Sequence, residues 1–209
     1  MQTRTILAAS ALCLASLACG GGSSSGSATF SGNVRGQSFK PAEAISQQVT
    51  ISSSGSPTTV DAIVITNNGG LCQKLTGNQE PKNSQYLILF LGDVNQTSGA
   101  ITAPATTGTF TVYTGAGGTA PPAHIALVLY SATDAACKDT TSTSGVSGTV
   151  TLTGIDNGSY AGSFDVTVQS QDAAGAAVGA PEHVTGSFGA KSCSGLSSLA
   201  SQNRTTTCI

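Results

Sequence analysis

The sequence predicts an all-β chain, and three observations carry that expectation. Of 209 residues, 28 are Ser, 28 are Thr and 26 are Gly, while only 9% are charged. Glu, Lys, Arg, Gln and Leu, which sustain helices, are scarce beside these weaker helix formers. Second, apolar and polar residues alternate over short runs, the period of a strand with one face buried. Third, Gly-Gly, Asn-Gly and Pro-Pro pairs punctuate those runs as turns do. Disorder is excluded, because it goes with low hydrophobicity and high net charge, whereas this chain is 39% hydrophobic with a net charge of −2. The expected architecture is a single antiparallel β-sandwich or calycin-like barrel of about eight to nine strands, with at most short helical turns.

The first residues read as an address rather than as structure. Arg4 is followed by an apolar run over residues 6–17, interrupted only by Ser10 and Ser16. A charged start before a short apolar stretch is a secretory signal, assigned to residues 1–18. The run is too short to cross a bilayer of about 30 Å as a helix. Ala18 stands before Cys19 and a Gly/Ser stretch follows, the arrangement of a bacterial lipobox, in which the signal is cut before the Cys and that Cys is acylated. Ser16 and Leu17 are shifted by one place from the usual Leu-then-small order, and an ordinary secretory signal is the competing reading. Residues 19–28 then form the lipidated Cys and a flexible tether of about 5–6 Å × √n reach. Residues 29–209 form a single β-domain.

Within that domain, residues 29–35 read as the first strand. Residues 38–46 are ambiguous, since Pro41-Ala42-Glu43-Ala44 suits one helical turn with Pro at its start. Residues 60–66, 85–91 and 124–130 are near-continuous apolar runs too short for helices, which predicts strands buried on both faces. Residues 107–113 add another. The strongest local signal is the hairpin of residues 147–155 and 159–169 around Asp156-Asn157-Gly158, because Asn-Gly supplies the positive-φ pair of a tight turn. A loop over residues 172–181 leads to a last strand at 183–190.

In the oxidising space that a secretory signal implies, Cys72, Cys137, Cys193 and Cys208 remain once Cys13 and Cys19 are set aside, and they predict two disulfides. Spacing favours Cys72 with Cys137 and Cys193 with Cys208, the latter closing a short C-terminal loop. Zinc ligation fails on spacing, as no Cys-x₂₋₄-Cys pair exists and His124 and His183 are isolated.

The segments from Phe30 to Phe39 with Pro-Ala-Glu-Ala after it, Leu71-Cys72, Ser147 to Thr153, Gly162 to Thr167 and Val184 to Cys193 together carry a resemblance. Over about residues 30–208 the chain resembles a group of secreted bacterial lipoproteins abundant in myxobacteria. The resemblance implies an anchored envelope protein and carries no activity, ligand or catalytic residue.

Catalytic motifs are weak. Gly22-x-Ser24-x-Gly26 has the spelling of a nucleophile elbow but lies in the tether, without the required strand and helix. The dinucleotide-like glycines of residues 115–120 run into Pro121-Pro122, where a phosphate-binding helix would have to begin. His124, and His183 beside Glu182, are general-base candidates that need a carboxylate and a nucleophile brought to them by the fold. Asp134, Asp139 and Asp156 suit turns and caps, not the spaced ligands of a calcium loop. No catalytic residue, metal or cofactor is assigned. Eight Lys and Arg scattered against ten Asp and Glu leave no phosphate-binding footprint, so nucleic acid is excluded as a partner.

The expected function is a non-catalytic cell-envelope lipoprotein, anchored in the outer membrane of a Gram-negative bacterium, that binds an envelope protein or surface polymer. The alternative is a small apolar ligand carrier, its apolar strands lining a lumen of at least about 300 Å³. A core filled by Leu, Ile and Phe favours the former. A hydrolase using His124 or His183 comes third.

Overall fold

The structure is a computed structural model that describes residues 26–53, 56–115, 120–172, 175–199 and 206–209. The signal at residues 1–18, Cys19, most of the tether with its Gly22-x-Ser24 motif, and residues 116–119 of the glycine motif lie outside the described residues.

The chain is mostly β. Its strands are β1 (Ser27–Ser31), β2 (Asn33–Val34), β3 (Gln37–Ser38), β4 (Glu43–Ser53), β5 (Ser56–Thr66), β6 (Gln79–Glu80), β7 (Gln85–Val94), β8 (Ile101–Thr102), β9 (Gly108–Val112), β10 (His124–Thr133), β11 (Asp139–Asp156), β12 (Ser159–Gln171), β13 (Ala177–Ser192) and β14 (Thr207–Cys208). Two short helices, α1 (Leu71–Thr76) and α2 (Leu196–Leu199), follow β5 and β13. Ten strands form one large sheet in the order β1-β13-β12-β11-β9-β10-β7-β5-β4, with β8 on β7. The path returns on itself, because β4 also pairs with β13, Ile45 opposite Lys191 and Ser46 opposite Ser192.

The sheet is mixed, which corrects the expectation of a purely antiparallel one. The β13–β4 and β9–β10 pairings are parallel, and β9 is wedged between β10 and β11 while those two strands also pair directly beyond it. Residues 38–46 are corrected as well. Glu43 and Ala44 are extended and open β4, because the chain there pairs with Thr66 and Ile65 of β5. Pairing with β5 outweighs the local helical preference.

The Asn-Gly hairpin forms as its turn chemistry dictates. Asp156 and Ser159 face each other across the turn, and Asn157 and Gly158 take φ values of 47° and 78°.

Alternation sorts side chains into two populations. Ile63, Ile65, Leu87 and Leu89 turn inward, where they join Phe110, Val150 and Val166 in the main core, each at most 1% exposed. Burying each such side chain contributes roughly 1.5–3 kcal/mol. The alternate residues of the same strands face outward.

Both disulfides form, in a pairing that spacing did not indicate. Cys72 joins Cys193 and Cys137 joins Cys208, with Cα atoms 5.7 and 5.8 Å apart. The reason is topological. The end of β13 lies on β4, where the Cys193 N–H donates to the Ser46 carbonyl. Hairpin pairing of β4 with β5 brings α1 to the same place, and the Leu71 N–H donates to the buried Glu43 carboxylate at 2.6 Å. Leu71, Leu75, Leu196 and Cys193 therefore pack together with Ile45 and Val64. At the C-terminus, β14 pairs with β6, which sets Cys208 opposite Glu80. The turn carrying Cys137 also packs against Glu80.

Peptide mapping under non-reducing conditions should recover Cys72 linked to Cys193 and Cys137 linked to Cys208. The longer crosslink spans 121 residues, and its removal by Cys72→Ala/Cys193→Ala should cost up to about 5 kcal/mol by the chain-entropy account. Recovery of a Cys72–Cys137 peptide would contradict the structure.

Candidate functional site

Three groups of side chains bear on function: a polar end of the interior, two surface histidines, and an apolar outer face.

The polar end is built on inward positions of β5, β7 and β10. Asp61 follows the inward parity of Ile63 and Ile65 and is fully buried. Neither of its carboxylate oxygens has a hydrogen-bond partner among the described residues. The Tyr160 hydroxyl and the Gln48 amide face it, but neither reaches hydrogen-bonding geometry. One step along the same face, Asp93 and His124 are register partners. Their side chains meet at 2.7 Å between Oδ1 and Nδ1, with His124 half exposed. The His124 ring sits edge-on to Phe110 at 5.4 Å.

Burial holds the Asp61 carboxyl above its ordinary range. Tyr160 and Gln48 oppose the rise, and the nearby Asp93 charge adds to it. Burial also pushes the Tyr160 hydroxyl up, and Asp61 reinforces this. Burial thus disfavours the charged form of Asp61 relative to a carboxyl in water.

The second histidine is on the surface. His183 Nε2 meets Asp165 Oδ1 at 2.7 Å across the β12–β13 ladder, with both side chains more than half exposed. Glu182, the carboxylate adjacent in sequence, turns instead to the backbone N–H groups of Arg35 and Gly36. Each histidine thus has a carboxylate. Among the described residues, no Ser, Thr or Cys side chain is hydrogen-bonded to either ring, so neither pair is completed as a nucleophile–base constellation. Of the three aspartates expected in turns, Asp134 lies in one and accepts from the Ala136 and Lys138 N–H groups, whereas Asp139 and Asp156 are the end residues of β11 and accept from Ser131 and Asn157.

The outer face carries the feature that sequence reading missed. β5 is buried on both sides as expected, because α1 and β4 residues cover its outward Val64 and Val60. β10 is not. Its outward Leu127 and Leu129 are 37% and 41% exposed, and Val146 beside them on β11 is 38% exposed. Outward Phe90 and Ile51 connect two depressions in this face. One, of about 180 Å³, is walled by Val49, Ala62, Val64 and Ile88 and ends at Leu196. The other, of about 820 Å³, is walled by Tyr113, Leu127, Leu129 and Val146. No Asp, Glu, Lys, Arg or His lines either. The near-continuous apolar runs of β7 and β10 were the signal, but an unbroken run does not reveal whether its second face is covered.

Protonation of Asp61 links this site to stability. A carboxyl whose pKa is raised on folding contributes stability below its unfolded pKa, and that contribution is lost as the pH climbs through the folded value. Asp61→Asn removes the penalty. Its melting temperature should exceed that of the wild type near neutral pH, and the gap should close as the pH falls into the ordinary carboxylate range. A wild type that is the more stable of the two near neutral pH would show instead that Asp61 is charged and paired.

No family model, curated protein or solved structure matches this chain.

Proposed function

We propose that this chain is a non-catalytic cell-envelope lipoprotein, held in the outer membrane of a Gram-negative bacterium through Cys19, whose β-domain acts by surface contact. In this reading the sheet is a calycin-like barrel, closed where β4 meets β13, with β9 as an inserted strand. The resemblance of residues 30–208 to secreted bacterial lipoproteins agrees with the anchor.

One observation carries the reading. The interior that a carrier would need empty is occupied: Leu87, Leu89, Leu91 and Phe110 are at most 1% exposed and belong to one packed cluster. The apolar depressions are lined mainly by the opposite side of the strands. Contact with a partner therefore has an exposed apolar surface available, whereas a ligand inside the barrel would have to displace packed core side chains, each costing a few kcal/mol.

Two measurements test this. Metabolic labelling with a fatty-acid analogue should mark the wild-type protein and leave Cys19→Ser unmarked, and equal labelling of both would remove the anchor. His124→Ala and His183→Ala should each fold and restore the phenotype of a deletion strain to near wild type, because neither ring is asked to do chemistry. A variant that melts like the wild type yet fails to complement would make that histidine part of an active site.

A further inference from the structure

We infer that the charge-free outer face around Leu127 and Leu129 docks on the surface of the lipid bilayer to which the chain is anchored, so that the domain lies on the membrane rather than standing off it. The inference deepens the anchored-domain reading above and rests on it.

A polysaccharide is oriented by several converging hydrogen-bonding groups, and a stable protein partner needs a larger patch than this face offers. Here the walls of both depressions consist of aliphatic side chains, Phe90, Tyr113 and a few small or uncharged polar residues, with no ionisable carboxylate or amine. A second copy of the chain is disfavoured by area. Leu127, Leu129 and Val146 are already about three-fifths buried, so the accessible patch is on the order of a few hundred Å². Each partner in a stable dimer contributes roughly 800 Å². A bilayer does not need that area, because an anchored domain is already at the surface and a weak contact suffices.

The position of the tether fits. Gly26 forms an antiparallel bridge with Ala44 of β4. An antiparallel partner runs opposite to β4, so the backbone at Gly26 points, on its N-terminal side, in the direction in which β4 proceeds to Val49 and Ile51. These two residues wall the apolar face. They lie about 17–24 Å along the strand from Ala44. Seven residues separate Cys19 from Gly26, a contour of up to about 24 Å and a typical span of about 15 Å when flexible. The anchor and the apolar face can therefore reach the same membrane surface together.

The chain contains no Trp, so a single introduced Trp reports without background. The full lipidated protein, as Leu129→Trp or as Ser163→Trp, an exposed position of β12 six residues along that strand from the Gln169 that pairs with Ser144, is placed in phosphatidylcholine vesicles with brominated acyl chains. Trp at 129 should be quenched several-fold more than Trp at 163. The difference should persist at high salt, since no charge is involved, and should vanish when Leu127→Asp is added. Val146→Trp serves as a second reporter if Leu129→Trp does not melt like the wild type.

Equal quenching at both positions, or none at 129, overturns the inference when the fatty-acid label on Cys19 is present. A dimer in vesicle-free buffer that Leu127→Asp abolishes would assign the face to a second copy instead. If Cys19 carries no label, the anchored reading has failed by itself. The same protein mixed with excess vesicles then decides the face, and an unquenched Trp at 129 rejects it.

Discussion

The pairing of β4 with β13 is the constraint on which the rest of the structure depends. It spans two residue pairs, Ile45 with Lys191 and Ser46 with Ser192, yet it joins the first long strand to the last. Strand edges left open invite pairing with other chains, and here the two edges meet. Because so few ladder bonds hold the junction, covalent and packing supports gather around it. The Cys72–Cys193 bridge, the Cys193 N–H on the Ser46 carbonyl and the Leu71, Leu75 and Leu196 cluster all lie at this place.

Alternation along the long strands divides their side chains between a filled inner face and an outer one. Inside, aliphatic residues and Phe occupy the space, and a buried carboxyl, Asp61, sits near the end where Asp93 and His124 meet. A buried carboxyl without a hydrogen bond is a cost to the fold, offset by the surrounding core. Outside, the same construction leaves Leu127, Leu129 and Val146 half covered, because no helix or loop among the described residues packs over them. The molecule's chemistry is therefore sparse inside and its apolar contact surface is external.

How much could be read in advance varied with how local the cause was. The Asn157-Gly158 turn depends on two residues and was legible. So were most strands, since alternation and β-branched content act over five to ten residues. β4 was missed because Pro41-Ala42-Glu43-Ala44 has a local helical preference that the ladder with β5 overrides. The carboxylate partners of His124 and His183 were not legible either. Asp93 and Asp165 lie 31 and 18 residues away in the chain, and only strand register sets Asp93 opposite His124 and Asp165 diagonal to His183.

The sequence by itself determined an all-β chain, the four cysteines that pair, and the apolar runs that supply the core. Composition and period suffice for these, because backbone preference and burial are decided residue by residue. The tertiary structure alone decided which cysteines meet, which face of β10 stays uncovered, and that Asp61 points into the core. Each depends on where distant strands fall beside one another, and a one-residue change of register would turn every one of those side chains to the opposite face.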